Sequence, residues 1–353
     1  MSLMDGLRKI VPQSELRQSL SASKASFNDV RHRKIRTLQI YTTNRCNSRC
    51  VHCYVWQYKN NMDLPVETIA RLLKAESLAP LNDICLEGGE FTLHPAYMEI
   101  LSLFADRQVC VITNGILTER TVRMVENSKI SKVMISLDGT RETYIRLRGL
   151  DVYERVMETI RLLKDKVKVA INFTITPWNG AEDYEHVRQV CEEHGLEFGL
   201  PNLYTTQPYF KTIEAPEMIR GKHEAVVTRD VFQRRYLDYH DEWLRGDLTL
   251  PCFSIFRSAI VYPEGDLSFC HQRVEILGNL HQHSLDEIWN SERTRKLQDQ
   301  YMGCNKCWCT PHRLQDVYSE RLGKAVLLGQ RIKGALQGRS AEKGSGLPAG
   351  PKP

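Results

Sequence analysis

The sequence has no uninterrupted apolar stretch near the ~18 residues that a membrane-spanning helix needs. Its opening, MSLMDGLRKI, lacks the apolar core and small-residue cleavage site of a secretory signal, so the expected setting is cytoplasmic, with no membrane partner. Net charge is small for the length, +5 over 353 residues, and no aromatic-rich basic motif accompanies it. Nucleic acid is therefore not an expected partner. A hydrophobic fraction of 42% and a charged fraction of 26% exclude a wholly disordered or a collagen-like chain. Apart from the strand–helix unit described next, no internal repeat is present.

Cysteine, by contrast, is plentiful. Eleven cysteines without a secretory signal argue for metal ligation or catalysis before disulfides. Charge is uneven along the chain. Residues 1–36 hold eight Lys/Arg against three Asp/Glu, and residues 316–353 hold seven against three. Two basic ends flank a mildly acidic body; they are either solvated ends or contacts for an acidic partner.

Between the ends, β-branched runs alternate with helical patterns. Strands are expected at Thr37–Thr42, Asp83–Leu86, Val109–Thr113, Lys132–Leu137, Lys168–Thr176 and Glu197–Leu203. Helices are expected at Val66–Ser77, Ala96–Asp106, Glu119–Asn127, Tyr153–Lys164 and Ala181–His194. Tyr153, Val156, Met157, Ile160 and Leu163 make one helical apolar face. Six such units imply an α/β fold, a partial (β/α)6 TIM-like barrel, over residues 37–204. A helical bridge follows over 205–250, whose Tyr204, Tyr209, Phe210, Arg234, Arg235, Tyr236, Tyr239 and Trp243 are candidates for a pocket wall or for packing. Residues 251–315 read as a small α+β unit: a β-hairpin, Ala259–Tyr262 and Leu267–Cys270 about Pro263–Asp266, then a helix opened by the capping box Ser284–Glu287 and running to about Asp299. The Gly- and Pro-rich end, 344–353, is expected to be disordered.

Cys46-x3-Cys50-x2-Cys53 follows the first strand directly, at the end of a parallel strand where active sites of such sheets sit. Three thiolates on a short loop can hold three corners of a cubane and leave one iron open; a structural zinc would want four ligands. These residues, with Tyr54, resemble the CxxxCxxC-aromatic motif of the radical S-adenosylmethionine (SAM) superfamily. In that family the amino and carboxylate groups of SAM chelate the open iron of a 4Fe–4S cluster, and one electron cleaves SAM to methionine and a 5′-deoxyadenosyl radical. The resemblance extends to Gly88-Gly89-Glu90 after the second strand, which it places against the methionine amino group. It also covers Thr113-Asn114-Gly115 after the third strand and Ser136-Leu137-Asp138-Gly139 after the fourth. It implies Ser136 and Asp138 near the ribose, Tyr54 beside the adenine, Asn114 in the cofactor site, and Arg146 facing the SAM carboxylate. Bottom-up, glycines let backbone approach a ligand and a carboxylate pairs with an ammonium.

Later in the chain, Cys252 and Cys270 bracket 17 residues that include Gly265, and Cys304-x2-Cys307 is followed by Cys309. This pattern resembles the SPASM/Twitch domains of radical SAM enzymes. Five cysteines are too few for two complete clusters, so one auxiliary 4Fe–4S cluster on Cys252, Cys270, Cys304 and Cys307 is expected. A four-cysteine zinc knot is the alternative. Cys309 is left as a replacement ligand for Cys307, a hydrogen-atom donor or a bystander. Cys85, Cys110 and Cys191 lie inside strands and a helix and are expected to be inert thiols. The resemblance implies an enzyme that takes hydrogen from a peptide or from a sugar or aminocyclitol, for oxidation, cross-linking or epimerisation. Its electrons would come from a reductant such as flavodoxin or ferredoxin. The alternatives are an RNA-modifying relative and a non-catalytic iron–sulfur scaffold.

Overall fold

The computed structural model describes residues 27–53, 55–203, 231–271 and 275–318. Tyr54, the first half of the bridge with Tyr204, Tyr209 and Phe210, and most of both basic ends lie outside the described residues.

Six parallel strands carry the barrel: β1 (Ile35–Thr43), β2 (Leu78–Gly88), β3 (Val109–Thr113), β4 (Lys132–Ser136), β5 (Lys168–Asn172) with its continuation β6 (Thr174–Ile175), and β7 (Glu197–Phe198) with its continuation β8 (Asn202–Leu203). The sheet runs in chain order from β1 to β5 and then β7, and β6 pairs with β8 beyond the break. The last two expected strands are thus each interrupted, the final one by Gly199-Leu200-Pro201, where proline has no amide to give a ladder.

Side chains alternate along each strand. Leu38, Ile40, Ile84, Leu86, Val109, Val111, Val133 and Ile135 are buried in the main core. Burying each such aliphatic chain contributes ~1.5–3 kcal/mol. The residues between them, Gln39, Tyr41, Glu87, Ile112 and Ser136, turn instead into the barrel, and period 2 puts all of them on one face. The covering helices are α1 (Val66–Leu72), α2 (Tyr97–Ser102), α3 (Thr118–Glu126), α4 (Arg141–Arg148), α5 (Tyr153–Leu163) and α6 (Ala181–His194). Helix α4 was not anticipated, although its signals are local: the Thr140 side chain accepts from the Thr143 amide, and Gly149 ends the helix at φ 74°.

A bridging helix α7 (Val231–Arg245) leads to the C-terminal unit, where β9 (Ser258–Val261) and β10 (Asp266–Ser268) form the expected hairpin and β11 (Gly278–Asn279) extends it. Strand β9 pairs in parallel with β1, from Thr37 opposite Ser258 to Ile40 opposite Val261, so the hairpin continues the barrel sheet. The expected long helix is two, α8 (Leu285–Trp289) and α9 (Glu292–Tyr301), because Ser291 caps a new start. Helix α10 (Thr310–Tyr318) closes the described chain.

Candidate active site

A cavity of about 240 Å³ opens at the C-terminal ends of the barrel strands. Cys46, Cys50 and Cys53 line it together with Gly88, Gly89, Asn114 and Ser136.

The cysteine loop is clamped from two sides. On one, the amides of Gly89 and Glu90 donate to the carbonyls of Thr43 and Arg45, each at 2.7 Å. A Cβ on Gly89 would lie 2.3 Å from the Arg45 carbonyl oxygen, and one on Gly88 would lie 2.4 Å from that of Thr43. The glycines are therefore required by the cysteine loop's own backbone. On the other side, the loop satisfies the last carbonyls of α4, which have no intrahelical partner. The Arg49 amide donates to Arg148 at 3.2 Å, the Val51 amide to Leu147 at 2.9 Å and the Ser48 hydroxyl to Arg148 at 3.0 Å.

Helix α4 also delivers a cation. Arg148 is buried, paired with the buried carboxylate of Asp138, and its Nη1 donates to Cys50 Sγ at 3.6 Å. Burial opposes the guanidinium charge, but Asp138 and Cys50 outweigh it and keep Arg148 protonated. Burial pushes the thiols of Cys46 and Cys53 up to about 12, so without iron they stay protonated; an iron cluster supplies the positive charge that reverses this. Three sulfurs on one cavity wall, with space in front of them, fit a cluster with one open iron.

The second group of cysteines reaches the cavity through Cys309. The Cys252 amide donates to the Cys304 carbonyl at 3.1 Å, and buried Arg313 donates from Nε to the Cys307 carbonyl at 3.0 Å. Burial raises the thiols of Cys252, Cys307 and Cys309. Cys252 is within electrostatic reach of Cys270 and Cys307, and Cys309 of Cys307, Cys270 and Cys252. Cys309 and His271 line the same cavity as the first three cysteines. His271 Nδ1 and His312 Nε2 share a hydrogen bond of 2.8 Å, and with Cys309 Sγ they form a buried group whose ligand-type atoms all lie within 4.8 Å. No disulfide joins any of the eleven cysteines.

Residues 40–192 match the radical SAM superfamily, and residues 252–308 match SPASM, an iron–sulfur cluster-binding domain. The chain carries a radical SAM domain followed by a C-terminal SPASM-type domain; it is a radical SAM enzyme whose cofactors are SAM and two 4Fe–4S clusters. Among its relatives, a probable GTP 3′,8-cyclase of Methanocaldococcus jannaschii is 28% identical over 217 residues, 58% of this chain and 72% of that protein. One from Saccharolobus islandicus is 27% identical over 214 residues, 54% of this chain and 70% of that protein. Similar folds include Streptococcus suis SuiB bound to precursor peptide SuiA (TM-score 0.57, 15% identity, covering 82% of this chain and 72% of SuiB). Another is anSMEcpe with bound AdoMet (TM-score 0.51, 18% identity, 85% of this chain and 99% of that one). The iron–sulfur match favours a cluster over zinc at the second cysteine group.

Three expected contacts look different in three dimensions. Arg146 does not reach the cavity: its Nη2 donates to the Trp178 carbonyl at 2.7 Å, and Arg148 lines the wall instead. Asp138 is fully buried, holding Arg148 and the Thr174 amide (2.9 Å), and does not line the cavity, whereas Ser136 does. Glu90 is 1% exposed. One oxygen accepts from the hydroxyls of Thr92 (2.7 Å) and Thr113 (2.8 Å), the other from the Asn114 amide (2.8 Å). Glu90 thus ties β2 to β3, and Gly88 and Gly89 present backbone to the cavity. Asn114 lines the cavity and donates to Asn47 at 2.7 Å. Of the described bridge aromatics, Tyr236 and Trp243 pack on the C-terminal unit, Tyr236 bonding Thr310 at 3.0 Å and Trp243 the Asn305 carbonyl at 2.9 Å, and neither these nor Tyr239 lines the cavity. Cys85 and Cys110 face each other across β2 and β3, and Cys191 is buried in α6. Sequence reasoning missed Arg148, His271 as a cavity residue, Gln39 and Glu87. Strand alternation alone carried a signal for the last two.

Proposed function

We propose that this radical SAM enzyme acts on a peptide or on a sugar or aminocyclitol, oxidising, cross-linking or epimerising it. The observation that carries the reading is the shared cavity, which Cys46, Cys50 and Cys53 line together with Cys309 and His271. A substrate between them would touch both cysteine groups. When bound, SAM and its cluster supply a carbon radical that takes hydrogen from an unactivated carbon, with electrons from a flavodoxin- or ferredoxin-like reductant. The chain's own share is placement and shielding. In this reading Cys46, Cys50 and Cys53 hold the first cluster, and Cys252, Cys270, Cys304 and Cys307 the second. Gly88, Gly89, Asn114 and Ser136 cradle SAM. Cys309, the member of the second group that lines the cavity, serves as ligand or hydrogen donor.

The relatives' name raises GTP as a rival substrate. A triphosphate calls for several cations. Among the described lining residues Arg148 is the permanent cation, and Asp138 already holds it. This favours a substrate without phosphates. The test is anaerobic turnover of reduced protein with SAM and deuterated peptides, aminosugars or GTP. Deuterium carried into 5′-deoxyadenosine from a peptide or aminosugar is expected; transfer from GTP instead would overturn the substrate assignment.

A further inference from the structure

Glu87 comes from β2, one residue before the two glycines, and no role in SAM or cluster binding uses it. It lines the cavity, and its Oε1 is shielded from solvent without a hydrogen-bond partner. Gln39 on β1 lines the same wall, and its Oε1 is likewise buried without a partner. Two unmet acceptors on one wall are costly unless something donates to them, since each buried polar group left without its partner costs ~1–3 kcal/mol.

The surroundings define the donor. Tyr41 is opposite Glu87 in the β1–β2 register, so both side chains enter the barrel from the same face. The Tyr41 ring stacks on Tyr262 at 5.7 Å between centroids and meets the His271 ring edge-on at 5.9 Å. Aromatic faces beside a carboxylate suit a cation. Among the described lining residues the permanent cation is Arg148, and it is already paired with Asp138.

We propose that Glu87, with Gln39 beside it, is the specificity-determining site for a primary ammonium of the substrate, whether an aminosugar amine or a peptide lysine. The proposal rests on the reading of this cavity as the substrate site. Glu87 would accept a charge-assisted hydrogen bond, Gln39 Oε1 a second N–H, and Tyr41 would flank the cation. Burial alone pushes the Glu87 carboxyl up to about 8, and an arriving ammonium restores the charged form.

The test uses the anaerobically reconstituted full chain with SAM and no reductant. Equilibrium dialysis compares glucosamine with glucose and a lysine tripeptide with its norleucine twin. In at least one pair the amine member should bind about ten- to a hundredfold more tightly, the effect of one hydrogen bond to a charged group. Glu87→Gln should erase that preference while iron content stays unchanged, and Glu87→Asp should keep part of it. The arm that responds identifies sugar or peptide. Equal binding within both pairs, no measurable binding, or a preference that survives Glu87→Gln would overturn the assignment. Glu87→Gln weakening SAM binding instead would place the carboxyl against SAM and also overturn it. Release of 5′-deoxyadenosine by reduced wild type is measured separately. Protein that cleaves SAM but shows no amine preference removes the Glu87 assignment alone.

Discussion

Arg148 Nη1 points at Cys50 Sγ from 3.6 Å while its other terminal nitrogen is paired with Asp138. One helix, α4, therefore brings both a positive charge and an N–H donor to the middle cysteine of the first cluster loop. Hydrogen bonds to sulfur and nearby charge set the potential of an iron–sulfur centre. Arg148→Gln should make reduction of the first cluster about tenfold less favourable, which for one electron is ~59 mV more negative. Titration followed by electron paramagnetic resonance reads the shift, and an unchanged potential would remove Arg148 from this role.

Asp138 should matter through Arg148. Removing one member of a buried ion pair costs ~3–5 kcal/mol, because the other charge is stranded. Asp138→Ala should lower the thermal midpoint clearly. Arg146→Ala, which leaves the cavity wall intact, should change stability and SAM binding little. A large loss of SAM affinity in Arg146→Ala would restore the contact that the sequence suggested.

Gly89→Ala should empty the first cluster site and spare the second. The added methyl would meet the Arg45 carbonyl oxygen at 2.3 Å, which moves the cysteine loop. Iron analysis of the reconstituted variant should show one cluster's worth of iron; two full clusters would mean the loop tolerates the shift.

Glu87 predicts a pH dependence. Its folded-state carboxyl is raised by burial from an ordinary 4.5 to about 8. Between those values the folded protein holds a proton that the unfolded chain has released, so stability falls as pH rises through this window. Below about pH 4.5 both states are protonated and the penalty vanishes. Glu87→Gln should flatten this slope and be more stable than wild type near pH 8, by an amount on the order of a few kcal/mol at most. Thermal unfolding across that range checks the sign.

The barrel was legible because β-branched runs and 3.6-residue periodicity act locally, as in α5, whose bounds match closely. The cysteine motifs were legible because ligand spacing on a loop is a local property. The roles of Glu90, Asp138 and Arg148 were not, because each depends on neighbours brought in by the fold. Arg146 and Arg148 are two positions apart on α4. At 100° per residue they point in nearly opposite directions, and only the packing of the helix decides which one faces the cavity. Gly88 and Gly89 were read as letting backbone approach a ligand; the close approach that the structure shows is to the cysteine loop's own backbone.

The central claim is that the three loop cysteines hold a cluster that cleaves SAM. Its most direct measurement is 5′-deoxyadenosine formation by anaerobically reconstituted, reduced protein supplied with SAM. The wild type should release it slowly without substrate and faster with the right one. The Cys46/Cys50/Cys53→Ala variant should keep one cluster and release none. Two intact clusters under strong reduction with no 5′-deoxyadenosine from the wild type would contradict the account and favour a non-catalytic iron–sulfur scaffold.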